Sequence, residues 1–549
     1  SLSANWMWPC NNPGEDARLY NAVEACSKFA IDLGINIPTG KDSLSMTQKY
    51  KDGVVYAPGT VIISAAAEVS NIRQIVSPAI QNVANSEILY IDFSYSALEL
   101  GGSSFAQSIN HLGTATPTVE DTEYFVDAFN TIQHLIKNNL ILAGHDISAG
   151  GMITALLEMT FPSQNMGLDV DFSKLAETDL IKILFSENPG ILIQVANDGK
   201  AKAELNKADI MFASVAKINN SAKVKLKHAN KVYNYDVKHL RDVWYKTSYL
   251  LDKEQTKAEL AESRFENYKL QPISYKFTET FTGKFKQYGI DNKRKIKTGV
   301  KAAIIREKGV NGDREMAYSM HLAGFDVKDV HMTDLISGRE TLEEINYIVF
   351  VGGFSNSDVL GSAKGWAGAF LYNEKANKAL KNFYARKDTL SLGVCNGCQL
   401  MVELDLLHPK HSKKPKMEHN ASGKFESAFL NVEVPKNNSI MLKTLAGSKL
   451  GIWIAHGEGQ FKLPKDESNY NISMKYSYSA YPGNPNGSDF DTAAMVSDDG
   501  RHLAMMPHLE RTIFPWQCAT YPKERKNENI TPWIEAFVNA KKWVDEFRK

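Results

Sequence analysis

The apolar run Leu390-Ser391-Leu392-Gly393-Val394 ends on Cys395, and glycines stand two residues before and two residues after that cysteine. A strand feeding Gly-x-Cys-x-Gly and then a helical stretch, Gln399 to Leu404, predicts a sharp strand–turn–helix elbow that presents a nucleophile. The glycines leave room for the turn and for close backbone packing. At a helix N-terminus the positive end of the dipole favours thiolate over thiol, and neighbouring amides can hold a developing oxyanion. A buried structural cysteine is the bland alternative. Cys395-x-x-Cys398 also admits a redox pair, whereas a zinc site needs a second pair that the sequence does not supply.

The surrounding pattern fits such an elbow. From Val300, strands (Val300–Ile305, Tyr347–Val351, Leu390–Val394) alternate with helical spacings (Arg314–Ala323, Asn377–Tyr384), which predicts a parallel α/β sheet covered on both faces. Residues 1–250 read as mixed α/β or α+β. Thr60–Ala67, Ile88–Phe93 and Gly190–Val195 read as buried strands, and Asp121–Asn138 as a helix using Phe125, Phe129, Ile132 and Ile136. Residues 252–297, rich in Lys, Glu, Thr and aromatics, lack clear periodicity and read as a surface linker of low internal order.

Length and charge narrow the function classes. A chain of 549 residues holds about three or four domains. Lys plus Arg equals Asp plus Glu at 63 each, so global charge points to neither nucleic acid nor a membrane surface. No apolar run reaches the roughly 20 residues of a membrane helix. Five cysteines in this length give no disulfide framework, so the expected setting is reducing and cytoplasmic. The first residue is Ser1, without a signal-peptide pattern and without an initiator Met, which fits a processed or truncated chain.

A thiol nucleophile needs a base, and the base needs an orienting group. Met506-Pro507-His508-Leu509-Glu510 supplies both: in an extended segment His508 and Glu510 face one way. A surface His beside a surface Glu is the alternative. In the first half, Gly40-Lys41-Asp42-Ser43 has the glycine, cation and hydroxyl that suit a phosphate, or else it is a plain surface turn. Asp146 is a hard oxygen donor of the kind Mg²⁺ takes beside phosphates, or else a helix cap.

Gly393-Val394-Cys395-Asn396-Gly397-Cys398-Gln399 and the order Cys…His…Glu resemble class I (triad) glutamine amidotransferases. Further strings resemble the large single-chain phosphoribosylformylglycinamidine synthases in particular: Arg306 to Met316, His331 to Leu335, Gly352-Gly353-Phe354-Ser355 through Gly361, His456-Gly457-Glu458-Gly459, and Asn484 to Ser488. Ser1 to Trp8, Pro13 to Tyr20, Gly40 to Met46 and His145 to Gly151 resemble the second aminoimidazole-ribonucleotide-synthetase-like repeat of that family. Departures are Leu509 for a usual Pro, Asn356-Ser357 for Tyr-Gly, Lys424 for Arg, and Ala149 for an acid.

The resemblance implies a flavodoxin-like amidotransferase domain over 298–549, preceded by part of a synthetase-like A domain (1–75), a B domain (76–251) and the linker. It implies catalysis by Cys395, His508 and Glu510, with Gly353, Asn396, Gln399 and His456 at the oxyanion and glutamine positions. It implies nucleotide or phosphate at Lys41, Asp42 and Ser43, metal at Asp146, and ATP and Mg²⁺ as cofactors. Glutamine would then supply ammonia for ATP-dependent conversion of formylglycinamide ribonucleotide to the amidine, in concert with an N-terminal portion of the same enzyme that lies upstream. A free-standing glutaminase and a non-catalytic nucleotide-binding scaffold are the rival expectations.

Overall fold

The computed structural model describes residues 1–72, 74–163 and 165–548, and the chain divides into two compact units, Ser1–Tyr245 and Lys246–Lys549.

The first unit contains two larger sheets. In the smaller, Leu2–Met7 lies between Thr39–Ser43, parallel to it, and Thr60–Ala65, antiparallel to it. Thr60–Ala65 is the expected strand but not a buried one: Val61, Ile62 and Ile63 are all exposed. With one strand on one side and solvent on the other, an apolar sequence alone does not bring burial. The larger sheet is seven-stranded and mixed, with Glu87–Asp92 and Gly190–Val195 at its interior. Alternation along Glu87–Asp92 divides the core in two. Leu89 and Ile91 pack with Ala128, Ile132 and Leu135, while Ile88 and Tyr90 pack with Met152, Ala155, Leu156 and Met159. The helix Thr122–Lys137, capped by Asp121 through the amide of Tyr124, therefore buries Ala128, Ile132 and Leu135. Phe129, expected on that face, is half exposed.

The second unit is built on a nine-stranded sheet. Five strands run parallel in the order Asp326–His331, Lys301–Arg306, Tyr347–Phe350, Leu390–Val394, His502–Met505. Four antiparallel strands then extend it: Thr492–Val496, Ile472–Tyr476, Glu426–Glu433 and Lys449–His456. The expected parallel sheet is thus the first five strands only. Leu390–Val394 is buried at every residue, as a central parallel strand with helices on both faces must be.

Residues 252–297 are not the loose linker that their aperiodic sequence suggests. Ala258–Asn267 is a helix, and Arg264 reaches Asp252 at 3.0 Å and Glu426 at 3.2 Å. Lys276 pairs with Lys449 through two backbone bonds of 2.8 and 2.9 Å, extending the sheet by one bridge. Tyr275, Phe277 and Phe281 stack, Tyr521 packs edge-on against the first two, and Arg525 lies over Phe277 and Phe281. Aromatic stacking and cation–π contacts need no helical or strand period, so periodicity misses them.

Candidate active site

The elbow is as tight as its glycines allow. Cys395 adopts φ 53°, ψ −107°, a strained backbone for a residue with a side chain. Its amide donates to the Met505 carbonyl at 2.9 Å, holding it to the neighbouring strand, and its carbonyl accepts from Gln399 at 3.0 Å, starting the helix Asn396–Glu403. A Cβ on Gly397 would lie 2.0 Å from the Phe350 carbonyl oxygen, and one on Gly393 2.5 Å from the Gly397 oxygen. Any side chain at either position would push the helix off the sheet and move the sulfur.

His508 arrives from the other side. Its segment is not extended as the sequence pattern suggests. After the strand His502–Met505, His508 (φ −99°, ψ 91°) caps a short 3-10 turn, Leu509–Arg511, and its amide donates to the Trp453 carbonyl at 2.8 Å. The turn still brings Glu510 back onto the imidazole, with Nδ1 2.6 Å from Oε1 and both side chains almost fully buried. Gly352 supplies the space in which sulfur and imidazole meet. A Cβ there would stand 2.8 Å from His508 Cε1 and 3.3 Å from Cys395 Cβ. Burial works against a charged imidazole, but the Glu510 carboxylate and the Cys395 sulfur outweigh it and raise the His508 pKa to about 10. The Cys395 thiol donates to the Ala455 carbonyl at 3.4 Å, and Nε2 of His508 is buried with no hydrogen-bond partner among the described residues.

Gly353 (φ 122°) pairs with Val310 in an isolated bridge so close that a Cβ would lie 2.6 Å from the Val310 Cα. The side chain of Asn396 accepts from the Ser355 amide at 3.2 Å and donates to Gln399 Oε1 at 2.9 Å, tying the Gly353 loop to the nucleophile helix. Gln399 also donates to the Glu458 carbonyl at 2.7 Å. Both ends of its carboxamide are engaged within the protein.

His456 is buried and neutral. Its pKa is lowered to about 3, by burial first and then by the charge on His508. Asn420, which the sequence reading did not single out, fixes its tautomer. The Asn420 amide nitrogen donates to the carbonyls of His456 (2.7 Å) and Lys424 (3.0 Å), so its oxygen accepts from Gly459 N (3.0 Å) and His456 Nδ1 (3.1 Å). Nε2 of His456 is thereby an acceptor, buried and without a partner among the described residues. Asn420 carries no local signature, and Gly352 reads in the sequence only as part of the Gly353 loop. Each matters only through residues far along the chain.

The first unit places its expected residues differently. Lys41, Asp42 and Ser43 lie on the exposed strand Thr39–Ser43, where Lys41 Nζ donates to Ser43 Oγ at 2.8 Å. Lys41 and Asp42 border a cavity of about 410 Å³ whose other walls include Ala4, Leu19, Val23 and Ile37. Asp146 does not fit a Mg²⁺ site: its side chain is largely exposed, its ionic neighbour is His145 at 3.4 Å, and among the described residues no group of three or more His, Cys, Asp or Glu is arranged to hold a metal. Nor does it cap the helix Gly151–Thr160, because the cap is Gly150, whose amide donates to Glu187 at 2.8 Å.

The chain matches the profile of the CobB/CobQ-like glutamine amidotransferase domain over residues 299–544, the interval that holds Cys395, His508, Glu510, Gly353 and His456. Ahead of the amidotransferase domain, residues 1–68 match the FGAR-AT PurM_N-like domain and residues 88–229 the C-terminal domain of AIR synthase related protein. A relative from Caenorhabditis elegans, named as a probable phosphoribosylformylglycinamidine synthase, is 38% identical over 99% of this chain and 44% of its own length. The phosphoribosylformylglycinamidine synthase of Homo sapiens is 37% identical over 99% of this chain and 43% of its own. The chain is thus a homologue of these synthases along almost its whole length, and it spans less than half of theirs. A solved PurLQS structure from Thermotoga maritima aligns 99% of its chain with 46% of this one, at 24% identity and a TM-score of 0.34. Among the described residues no helix is long and apolar enough to cross a membrane.

Proposed function

We propose that the amidotransferase domain hydrolyses glutamine and that the ammonia it frees serves an ATP-dependent ligation, the conversion of formylglycinamide ribonucleotide to formylglycinamidine ribonucleotide named in its relatives. The observation that carries the reading is the strained Cys395 elbow lying against a buried His508–Glu510 pair. The five-stranded parallel order, second strand first, supports a flavodoxin-like assignment for this domain.

The chemistry follows from the groups present. Cys395 gives its thiol proton to His508 Nε2 as the sulfur attacks the side-chain carbonyl carbon of glutamine, and the developing oxyanion is held by the amides of Gly353 and Asn396, a kind of donor worth about 3–4 kcal/mol apiece in other enzymes. His508 Nε2, free of other partners, passes its proton to the departing ammonia, leaving a γ-glutamyl thioester. The imidazole then takes a proton from water as that water attacks the thioester, releasing glutamate and restoring the thiol. Glu510 keeps Nδ1 protonated throughout.

The ligation needs a larger protein than this chain. The uncovered apolar side chains on Val54–Tyr56 and Val61–Ile63 support packing of the first unit against an upstream portion of the same enzyme. ATP would be consumed by that whole enzyme. The test is ammonia release from glutamine by the chain alone, compared with Cys395→Ala. Release that survives the substitution overturns the triad. Amidine formation after adding the upstream portion tests the ligation separately.

A further inference from the structure

Arg511 follows Glu510 directly in the chain. Arg511 Nε lies 3.8 Å from Glu510 Oε1, the same oxygen that faces His508. Its Nη2 donates to Asn311 Oδ1 at 2.7 Å, and the Asn311 amide donates to the Gly352 carbonyl at 2.9 Å, next to the Val310–Gly353 bridge. The Cα of Gly312, at the start of the helix Asp313–Leu322, is bare where this packing occurs: a Cβ would stand 3.3 Å from Arg511 Nη2 and 3.5 Å from Glu510 Oε1. Glu315, on the first turn of that helix, lies 3.6 Å from Arg511 Nε.

We propose that Arg511 is a positioning residue for this site, joining the triad carboxylate to the loop that carries Gly353 while taking a share of the oxygen that faces His508. The planar guanidinium can serve Glu510 and Asn311 together because its donors are fixed in a fork; a lysine ammonium can hold the charge near Glu510 but not both contacts. Two effects follow and they separate. The charge of Arg511 competes with the imidazole for Glu510, so removing it strengthens the hold on the His508 proton. The fork to Asn311 fixes the Gly353 loop, so losing it displaces an oxyanion donor and slows turnover more than it weakens substrate binding. The charged or titratable groups around this arrangement are Cys395, His456 and Glu510 about the imidazole, and Glu315 about Arg511.

The proposal rests on the glutaminase reading, so the test has one arm that needs no turnover. In the full chain labelled with [¹⁵N]histidine, with His508 assigned by His508→Gln, Arg511→Met should move the imidazole titration up by about half a pH unit. Glu315→Gln should move it down, and Arg511→Lys should leave it in place. In the turnover arm, Arg511→Met and Arg511→Lys should each lower kcat for glutamine about tenfold while KM changes less than about twofold. An unmoved titration in both Arg511→Met and Glu315→Gln overturns the charge role, and kcat within twofold of the parent in Arg511→Lys overturns the brace. If the unaltered chain releases no ammonia, the glutaminase reading falls and the titration alone decides Arg511.

Discussion

His508 Nδ1 sits 2.6 Å from Glu510 Oε1, with both side chains sealed from solvent and two residues apart in a single turn. A carboxylate held this close to an imidazole in a dry site fixes the ring's orientation and stabilises the proton it must carry when Cys395 becomes anionic. Replacing Glu510 by Gln keeps the shape and removes the charge. The expected outcome is a fall in kcat for glutamine hydrolysis of at least about 10²-fold with the fold intact, read by steady-state kinetics beside circular dichroism.

An elbow glycine can be set against a glycine outside the elbow by what a methyl group would strike. Gly397→Ala places a Cβ 2.0 Å from the Phe350 carbonyl and should cost about 3 kcal/mol or more, seen as a lower urea midpoint or loss of soluble protein. Gly423 has φ 73° but nothing within 4 Å of its Cβ position, so Gly423→Ala should cost only the backbone penalty, about 1 kcal/mol. Equal costs would show that the contact at Gly397 is not what constrains it.

Three consecutive residues, Asn356, Ser357 and Asp358, hold φ between 50° and 57°, a region that side chains disfavour. The sequence resemblance implies a glycine where Ser357 stands. Ser357→Gly should therefore raise stability, by about 0.5 kcal/mol once the extra freedom of glycine in the unfolded chain is counted. Chemical denaturation measures it, and a loss of stability would mean the loop conformation is stabilised by the serine itself.

His456 and His502 are both buried with pKa values lowered to about 3, by burial first and then by the neighbouring charges of His508 and Arg501 respectively. Both must be neutral to stay folded, so the stability tied to them is present above the unfolded value of about 6.5 and is lost as pH falls towards 3. By pH 5 each is expected to withdraw about 2 kcal/mol. His508 has the opposite sign: its raised pKa contributes stability below about 6.5 that is lost as pH rises through about 10. Denaturation midpoints measured from pH 5 to 10 should fall at both ends, and His456→Gln should flatten the acid side.

What the sequence makes legible is what local chemistry dictates. The elbow could be read from Gly393, Cys395 and Gly397 because no other arrangement needs glycines on both sides of a buried sulfur at that spacing. His508 and Glu510 could be paired, although the geometry that pairs them is a 3-10 turn and not an extended strand. The antiparallel half of the large sheet, the ordered segment 252–297 and the tautomer-fixing Asn420 stayed hidden because each depends on partners outside its own local segment, such as Lys449 for Lys276 and His456 for Asn420. The cap reading of Asp146 failed for a related reason: Glu187, 41 positions on in the sequence, accepts from the Gly150 amide at the helix start that Asp146 was expected to serve.

In the proposed reaction Cys395 Sγ is the atom that attacks glutamine. Brief incubation of the full chain with glutamine, acid quench and peptide mass mapping should find a γ-glutamyl group on the peptide carrying Cys395, accumulating further when His508 is replaced by Gln only if attack outpaces release. No adduct on Cys398 or Cys518 is expected, since burial holds both thiols protonated. An unmodified Cys395 in a chain that releases ammonia, or an adduct on either of the other two, would contradict the account.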